Sequence, residues 1–206
     1  MQRYFITGIG TEVGKTVVSA IVTKALQADY WKPIQAGDLD NSDTHKLRKW
    51  VTNSKTVFHP NSFALKTPMS PHAAAEIDHI NISAEAIQTP VTNNNLVVEG
   101  AGGLLVPINN TETIFDLIQP NDKIILVSRH YLGSINHTLL SAEMLKIRNF
   151  NNVGIIFNGD EHPTTESIIL SKTGYPFLGR INNEKEITAK VISKYAAQLK
   201  QRLKEF

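Results

Sequence analysis

The feature that most constrains the fold is a glycine-rich segment, residues 8–16, near the start of the 206-residue chain. A short apolar run, residues 3–7, precedes it, and an apolar segment of helical length follows it. A strand, a glycine-rich turn and a helix in this order form a phosphate-binding loop, in which backbone N–H groups and the positive end of the helix face an anion. Lys15 adds a cation, and Thr16 adds a hydroxyl that can bind magnesium. The segment therefore predicts a site for a nucleoside triphosphate.

The spacing of the glycines departs from the usual pattern of such loops. Five residues separate Gly8 from the pair Gly14–Lys15, and three separate Gly10 from it, whereas the common pattern has four. The alternative is a turn that only joins a strand to a helix and leaves Lys15 and Thr16 solvated. We favour the anion site because a cation in the first turn of a helix opposes the helix dipole unless an anion binds there.

Apolar segments of strand length alternate with segments of helical periodicity along the chain. The predicted strands are residues 3–7, 30–34, 95–99, 123–128, 153–158 and 176–181, with a further short strand in the loop region near 58–65. The predicted helices are residues 15–27, a segment from 42 or 43 to 50, one that starts at 71, and 83–89, 113–118, 134–147 and 190–204. This alternation predicts an α/β fold with a mostly parallel sheet covered by helices on both faces. We expect residues 1–206 to form a single domain.

The composition argues against several classes of function. Cysteine is absent, which excludes disulfides, thiolate metal sites and cysteine nucleophiles. The net charge is only +2, and the basic segment 190–204 has the pattern of an amphipathic surface helix, so no nucleic-acid-binding surface is expected. No apolar run has the length of a membrane span, and the N-terminus does not have the pattern of a signal peptide. We expect a cytoplasmic protein that binds neither nucleic acid nor membrane.

Charged residues lie at or near the ends of predicted strands. Lys32 lies near the end of the second strand, and Glu99 ends the strand that precedes a run of small residues. Because ligands of open α/β sheets bind at the carboxyl ends of the strands, Lys32 is expected to face phosphates and Glu99 to hold magnesium. The alternatives are a surface lysine and a buried structural carboxylate. Ser42 or Asp43 caps a helix, and Asp43 is also a candidate magnesium ligand; the two roles are compatible.

Three further polar residues are candidates for ligand contacts. Asn158 ends a predicted strand, where its amide could pair with an adenine edge or serve as a turn residue. Ser134 could cap a helix and leave free N–H groups that bind a carboxylate. His72 could touch a ligand, although a histidine in such a place is more often packed or solvated.

Six motifs together resemble the dethiobiotin synthetase family, in the family's order. They are GxxTEVGKT from Gly8, WKPIQAG from Trp31, NSD from Asn41, SPH from Ser70, VEGAGG from Val98 and GSINH from Gly133. The resemblance covers nearly the whole chain and implies a P-loop NTPase-like α/β fold, a homodimer and a requirement for Mg²⁺. The implied reaction joins CO2 to 7,8-diaminononanoate at the expense of ATP. An amine captures CO2 as a carbamate, ATP phosphorylates the carbamate, and the second amine closes the ureido ring of dethiobiotin, with ADP and phosphate as the other products.

The resemblance also implies a role for each site residue. Lys15 and Lys32 would be the catalytic cations that stabilise charge as two anionic reactants meet. The expected nucleotide contacts are Glu12, Val13, Gly14, Lys15, Thr16 and Asn158. The expected metal ligands are Thr16, Asp43 and Glu99. The expected substrate contacts are Thr11, Lys32, Gly102, Ser134, Ile135 and Asn136, of which the last three would bind the distal carboxylate across the dimer interface.

The chain departs from the family at Ile9 and Gly10, where the family commonly has Thr followed by Asp or Asn. Polar contacts of those side chains with substrate or metal therefore cannot be carried over. The same two positions argue against a related class, the ATPase switches that partition DNA or position cell division, because those usually carry a second lysine early in the loop. Amidoligases of cobalamin synthesis are a third class, but they carry a further glutamine-hydrolysing domain with a cysteine.

Overall fold

A six-stranded parallel sheet forms the centre of the molecule. The structure is a computed structural model that describes residues 1–206. The strands are β1 (Arg3–Gly8), β2 (Asp29–Trp31), β3 (Ile34–Ala36), β4 (Phe63–Leu65), β5 (Leu96–Gly103), β6 (Lys123–Arg129), β7 (Val153–Asn158) and β8 (Phe177–Ile181). The main sheet has the order β2-β5-β1-β6-β7-β8, and β3 and β4 pair separately. The predicted α/β class is confirmed.

Helices cover both faces of this sheet. They are α1 (Lys15–Leu26), α2 (Asp43–Trp50), α3 (Pro71–Ile77), α4 (Ser134–Ile147), α5 (Pro163–Thr173) and α6 (Ala189–Glu205), with short 3-10 helices at Leu39–Asn41 and Ile114–Leu117. Side chains of α1, α2 and α6 pack on one face, and side chains of α3, α4 and α5 pack on the other. The central strands are apolar on both faces because both are buried. No helix combines the length and the apolar character needed to cross a membrane.

Three sequence predictions differ from the structure. Residues 83–89 do not form a helix but a single turn at 84–86, where the Ala84 N–H donates to the Glu112 carboxylate at 3.0 Å. A seven-residue segment is too short to repay helix nucleation without strong packing. The predicted strand 30–34 is two strands in different sheets, because Pro33 has no N–H with which to continue the ladder. Helix α5 was not predicted, although Pro163 at its start and Gly174 after its end are the usual signals.

The sheet order places the candidate site residues together. β1 lies between β5 and β6, and β5 lies between β1 and β2. Since these strands are parallel, their carboxyl ends open onto the same edge of the sheet. The glycine-rich loop follows β1, Glu99 lies in β5, and Lys32 directly follows β2. Lys15 and Glu99, which are 84 positions apart in the sequence, therefore reach one crevice.

Candidate active site

The glycine-rich loop has the form of an anion-binding cradle. Gly14 directly precedes α1 and has φ +97°, a left-handed value at which a side chain is strained, and a methyl group there would collide with the Asn158 amide. The backbone N–H groups of residues 11–14 donate to no acceptor in the protein. The first N–H groups of a helix are also unpaired by geometry. The loop thus presents several free donors to one side.

Lys15 lies in this cradle and is almost completely buried, with 7% of its surface exposed. Its Nζ donates to the carbonyl oxygen of Gly10 at 2.8 Å. The pKa of Lys15 is lowered to about 8, mainly by burial; Glu99 opposes this shift, the Lys32 charge adds to it, and Asp43 also opposes it. The ammonium is therefore short of compensating negative charge, which an incoming phosphate would supply.

Lys32 and the three candidate metal ligands form one polar cluster beside the loop. Thr16 Oγ1 lies 3.0 Å from Asp43 Oδ1 and 2.9 Å from Glu99 Oε1. Lys32 Nζ donates to Asp43 Oδ2, and it lies 3.3 Å from Glu99 Oε1. Burial lowers the pKa of Lys32, but Glu99 and Asp43 outweigh this effect and hold the pKa above its usual value. For Asp43 the opposite holds: burial raises its pKa, but Lys32 outweighs burial and keeps the pKa low, so Lys32 and Asp43 both stay ionised.

Local structure explains why Asp43 is free to face this cluster. Ser42, not Asp43, is the N-cap of α2, and its hydroxyl accepts from the His45 N–H at 3.4 Å while the His45 ring reaches back to the Ser42 N–H. The cap is therefore satisfied by Ser42 and His45. The Asp43 carboxylate, in the first turn of the helix, can then bind Thr16 and Lys32 and also benefits from the helix dipole.

The cluster and the loop line one cavity of about 730 Å³. Its wall includes most of the predicted site residues, namely Thr11, Glu12, Gly14, Lys15, Thr16, Lys32, Asp43, Glu99 and Gly102. A second cavity of about 520 Å³ adjoins it at Thr11 and Val106. The second cavity is mostly apolar and is lined by residues after β5 and by the face of α4 that carries Leu140 and Met144. A charged cavity thus opens beside an apolar one.

Other predicted residues lie outside these two cavities. The side chain of Val13 is buried in the core, and Asn158 lies behind the loop, where its amide donates to the Val13 carbonyl at 2.9 Å. Ser134, Ile135 and Asn136 form the first turn of α4, whose N-cap is Gly133 and not Ser134. The Ser134 N–H donates to the Tyr131 carbonyl at 3.0 Å. Only the N–H groups of Ile135 and Asn136 are therefore free for a ligand.

His72 has local partners and lines neither cavity. Its N–H donates to the Pro107 carbonyl at 3.2 Å, and its ring Nδ1 lies 3.1 Å from Ser70 Oγ. The structure thus agrees with a packed histidine at this position.

Sequence reasoning missed two residues that contact the site from other strands. The Tyr30 hydroxyl is fully buried and donates to Glu99 Oε2 at 2.9 Å, and burial raises the pKa of Tyr30 well above its usual value. Arg129, at the end of β6, donates from Nη1 to the Glu12 carbonyl at 2.9 Å. Neither contact has a signal in the sequence, because both depend on which strands are neighbours.

A parallel sheet whose first strand leads through a glycine-rich loop into a helix, with a lysine and a threonine at the start of that helix, defines a P-loop NTPase. Solved structures agree with this class. The MinC:MinD cell division complex of Aquifex aeolicus is similar with a TM-score of 0.63 and 15% sequence identity. The match covers 100% of this chain and 96% of the chain in that complex. A plasmid partition protein from Borrelia burgdorferi matches with a TM-score of 0.60 at 15% identity, with full coverage of both chains. At such identities the likeness shows the fold alone.

Sequence relatives define the family more narrowly. A family model described as an AAA domain matches residues 2–191. The chain is 61% identical to the ATP-dependent dethiobiotin synthetase of Christiangramia forsetii, with 99% of each chain covered, and 51% identical to that of Cytophaga hutchinsonii, with 97% of each covered. The chain belongs to the ATP-dependent dethiobiotin synthetase family and is an ATP-dependent ligase.

Proposed function

We propose that the chain converts 7,8-diaminononanoate, CO2 and ATP into dethiobiotin, ADP and phosphate through a carbamate and a carbamic-phosphoric anhydride. The observation that carries the proposal is the convergence of Lys15, Lys32 and the oxygens of Thr16, Asp43 and Glu99 on one cavity beside free loop N–H groups. This cluster suits a reaction in which two anions, a carbamate and a triphosphate, must approach each other. The names of the relatives support the same reaction.

Each step of the reaction has a balanced course. One substrate amine attacks CO2 and loses a proton, which gives a carbamate. A carbamate oxygen then attacks the γ-phosphorus of ATP, and the bond to the β-phosphate oxygen breaks with release of ADP. The second amine attacks the carbamoyl carbon, expels phosphate, loses a proton and so closes the ureido ring. Lys15 and Lys32 would stabilise the phosphoryl oxygens and the carbamate, and the free N–H groups of the loop would bind the phosphates.

The oxygens of Thr16, Asp43 and Glu99 fit Mg²⁺. All are hard oxygen donors, and the Thr16 hydroxyl lies within 3.0 Å of an oxygen of each carboxylate. The chain has no cluster of three His, Asp or Glu side chains placed for a metal ion. This agrees with a Mg²⁺ ion that takes one or two carboxylates and completes its shell with water and phosphate oxygens. When bound, Mg²⁺ would neutralise charge on the triphosphate.

The apolar cavity fits the hydrocarbon chain of the diamine. It shares Thr11 with the charged cavity, so an alkyl chain could lie against Leu104 and Leu140 while the amines reach Lys32. Gly103 lines the apolar cavity and Gly102 lines the charged one, and the absence of side chains at both lets a substrate approach the backbone. We propose that Thr11 and Gly102 contact the diamine at this junction.

We further propose that the enzyme is a homodimer of single-domain subunits, with its substrate site at the interface. Leu132 is fully exposed, and Leu140 and Ile147 of α4 are 61% and 71% exposed, so the outer face of α4 leaves large apolar side chains in water. A group of large apolar side chains exposed on one surface is typical of a protein–protein contact. A second subunit would cover this face, and the free N–H groups of Ile135 and Asn136 would bind the substrate carboxylate across the interface. The cytoplasmic location expected from the sequence stays a prediction.

A three-component assay tests the function. Purified protein is incubated with MgATP, bicarbonate and 7,8-diaminononanoate, and both phosphate and the mass of the product are measured. We expect phosphate release only when all three are present, together with a product that contains one added carbonyl carbon. Phosphate release that ignores the diamine, or that responds instead to DNA or lipid vesicles, would refute the proposal in favour of an ATPase switch.

A further inference from the structure

Two neighbouring strands reach across to the glycine-rich loop with their last side chains. Arg129 ends β6 and Asn158 ends β7, and the two residues are partners in the register of these strands. Arg129 Nη1 donates to the Glu12 carbonyl at 2.9 Å, and Asn158 Nδ2 donates to the Val13 carbonyl at 2.9 Å. Adjacent side chains of the sheet therefore hold two consecutive carbonyl groups of the loop.

Holding these carbonyls also orients the next N–H groups. In a trans peptide group the C=O of one residue and the N–H of the following residue point in opposite directions within one plane. With the Glu12 carbonyl turned toward β6, the Val13 N–H must point away from β6. The Val13 carbonyl is turned toward β7, so the Gly14 N–H must point away from β7. Neither N–H has an acceptor in the protein, and consecutive N–H groups with a shared direction form an anion-binding concavity.

The loop backbone needs such support from outside. Glu12 has φ +56°, a left-handed conformation that costs a residue with a side chain on the order of 1 kcal/mol or more. The Glu12 side chain is exposed, and the hydrogen bond at this residue is made by its backbone carbonyl. The Arg129 guanidinium is the group that binds the peptide following this strained position. A contact of this kind prepares the loop for its ligand before the ligand arrives.

We propose that Arg129 is a positioning residue of the phosphate site, and that Arg129 and Asn158 respectively aim the Val13 and Gly14 N–H groups at the bound phosphates. The inference rests on the proposed function only in that the loop binds a polyphosphate. It assigns Asn158 a task that is separate from any contact with adenine. Arg129 itself binds the Glu12 carbonyl and does not contact the phosphate. It affects the phosphate only through the orientation of the Val13 N–H.

An NMR titration of the full ¹⁵N-labelled chain tests this assignment residue by residue. Inorganic tripolyphosphate with Mg²⁺ is the probe, because it lacks adenine and so leaves out any contact of Asn158 with the base. In the unsubstituted protein we expect the amide protons of Val13 and Gly14 to shift downfield on binding. In Arg129→Met the Val13 shift should shrink while the Gly14 shift persists, and in Asn158→Ala the pattern should be reversed.

The affinity for the same probe, tripolyphosphate with Mg²⁺, supplies the second measurement. Losing one preorganising hydrogen bond should weaken binding roughly tenfold in Arg129→Met. Arg129→Lys, which keeps a charged donor of similar length, should restore most of the affinity. Arg202→Met, which removes an arginine from the exposed end of α6, should bind as the unsubstituted protein does. Because Arg129 is exposed, the thermal midpoint of the ligand-free variant should stay unchanged.

The outcomes separate this inference from the proposed function. The positioning role is wrong if the unsubstituted protein binds MgATP but the NMR signals of the Val13 and Gly14 amides do not shift. It is equally wrong if Arg129→Met reduces the two shifts by the same amount. The role is also wrong if the loss of affinity in Arg129→Met disappears when the salt concentration is raised from roughly 0.05 M to 0.5 M. Such a loss would come from long-range attraction between charges, which salt screens. A protein that binds MgATP and obeys the NMR pattern but makes no dethiobiotin would refute the proposed reaction alone.

Discussion

Replacing Tyr30 with Phe removes one buried hydroxyl that donates to the candidate magnesium ligand Glu99. The hydroxyl lies 2.9 Å from Glu99 Oε2, and the two residues are 0% and 1% exposed. Phe keeps the ring and nearly the same volume, so the packing around β2 should be retained. The carboxylate loses one of its donors and keeps Thr16 and Lys32 on its other oxygen. The substitution therefore isolates a single hydrogen bond to a buried charge.

The expected cost follows from the charge and the burial of the acceptor. A hydrogen bond to a charged group contributes about 1.5–3 kcal/mol to the free energy of unfolding, and no water replaces the donor in a buried site. The unfolding entropy of a domain of this length is roughly 0.43 kcal/mol/K, from about 2.1 cal/mol/K per residue. Tyr30→Phe should therefore lower the thermal midpoint by about 3–7 °C.

Calorimetry on matched variants tests this value. Tyr4→Phe is the control, because Tyr4 is also buried and burial, not a hydrogen bond, affects the pKa of its hydroxyl. It should shift the midpoint by no more than about 1–2 °C. Protein concentration is held constant, since a dimer makes the midpoint depend on it. In a Glu99→Gln background the effect of Tyr30→Phe should fall to that of a neutral hydrogen bond, about 1 kcal/mol. Equal midpoints for Tyr30→Phe and the unsubstituted protein would refute the reasoning.

Three further predictions concern charge and assembly. Lys15→Met should reduce ATP-dependent phosphate release by about 100-fold or more, with the chain still folded by circular dichroism, because it removes a buried cation from the phosphate site; a near-normal rate would contradict its role. Burial raises the pKa of Asp122 to about 6, with Arg3 opposing, so from about pH 4 to 6 the folded chain keeps a proton that the unfolded chain loses. Asp122 should therefore make the free energy of unfolding fall by about 3 kcal/mol as the pH rises from about 4 to 6. Urea titrations at several pH values should show that Asp122→Asn lacks this fall. If the free energy of unfolding of Asp122→Asn depends on pH as that of the unsubstituted protein does, Asp122 is not the source. Leu140→Asp should convert a dimer into monomers in sedimentation experiments, and a dimer that persists would place the interface elsewhere.

Most elements were predictable from local patterns. The strands that became β1, β5, β6 and β7 are short apolar runs bounded by turn residues, and β1 is followed by the glycine-rich loop. The failures have local causes. Residues 83–89 carry a short helical pattern with no buried side chain to stabilise it, and Pro33 divides a run that reads as one strand. The candidate ligands Thr16, Asp43 and Glu99 were found in the sequence because Thr16 and Asp43 lie at the start of helices and Glu99 ends an apolar run.

The sequence by itself determined the phosphate loop, the α/β class and the family, because these depend on residues that are contiguous or on the periodicity of each segment. Only the tertiary structure decided which side chains support the site. The contacts from Tyr30 to Glu99 and from Arg129 to Glu12 join residues 69 and 117 positions apart. Such pairs depend on strand order and register, which arise from the packing of the whole sheet. Apolar runs that are buried on both faces show where the strands lie but not which strands become neighbours.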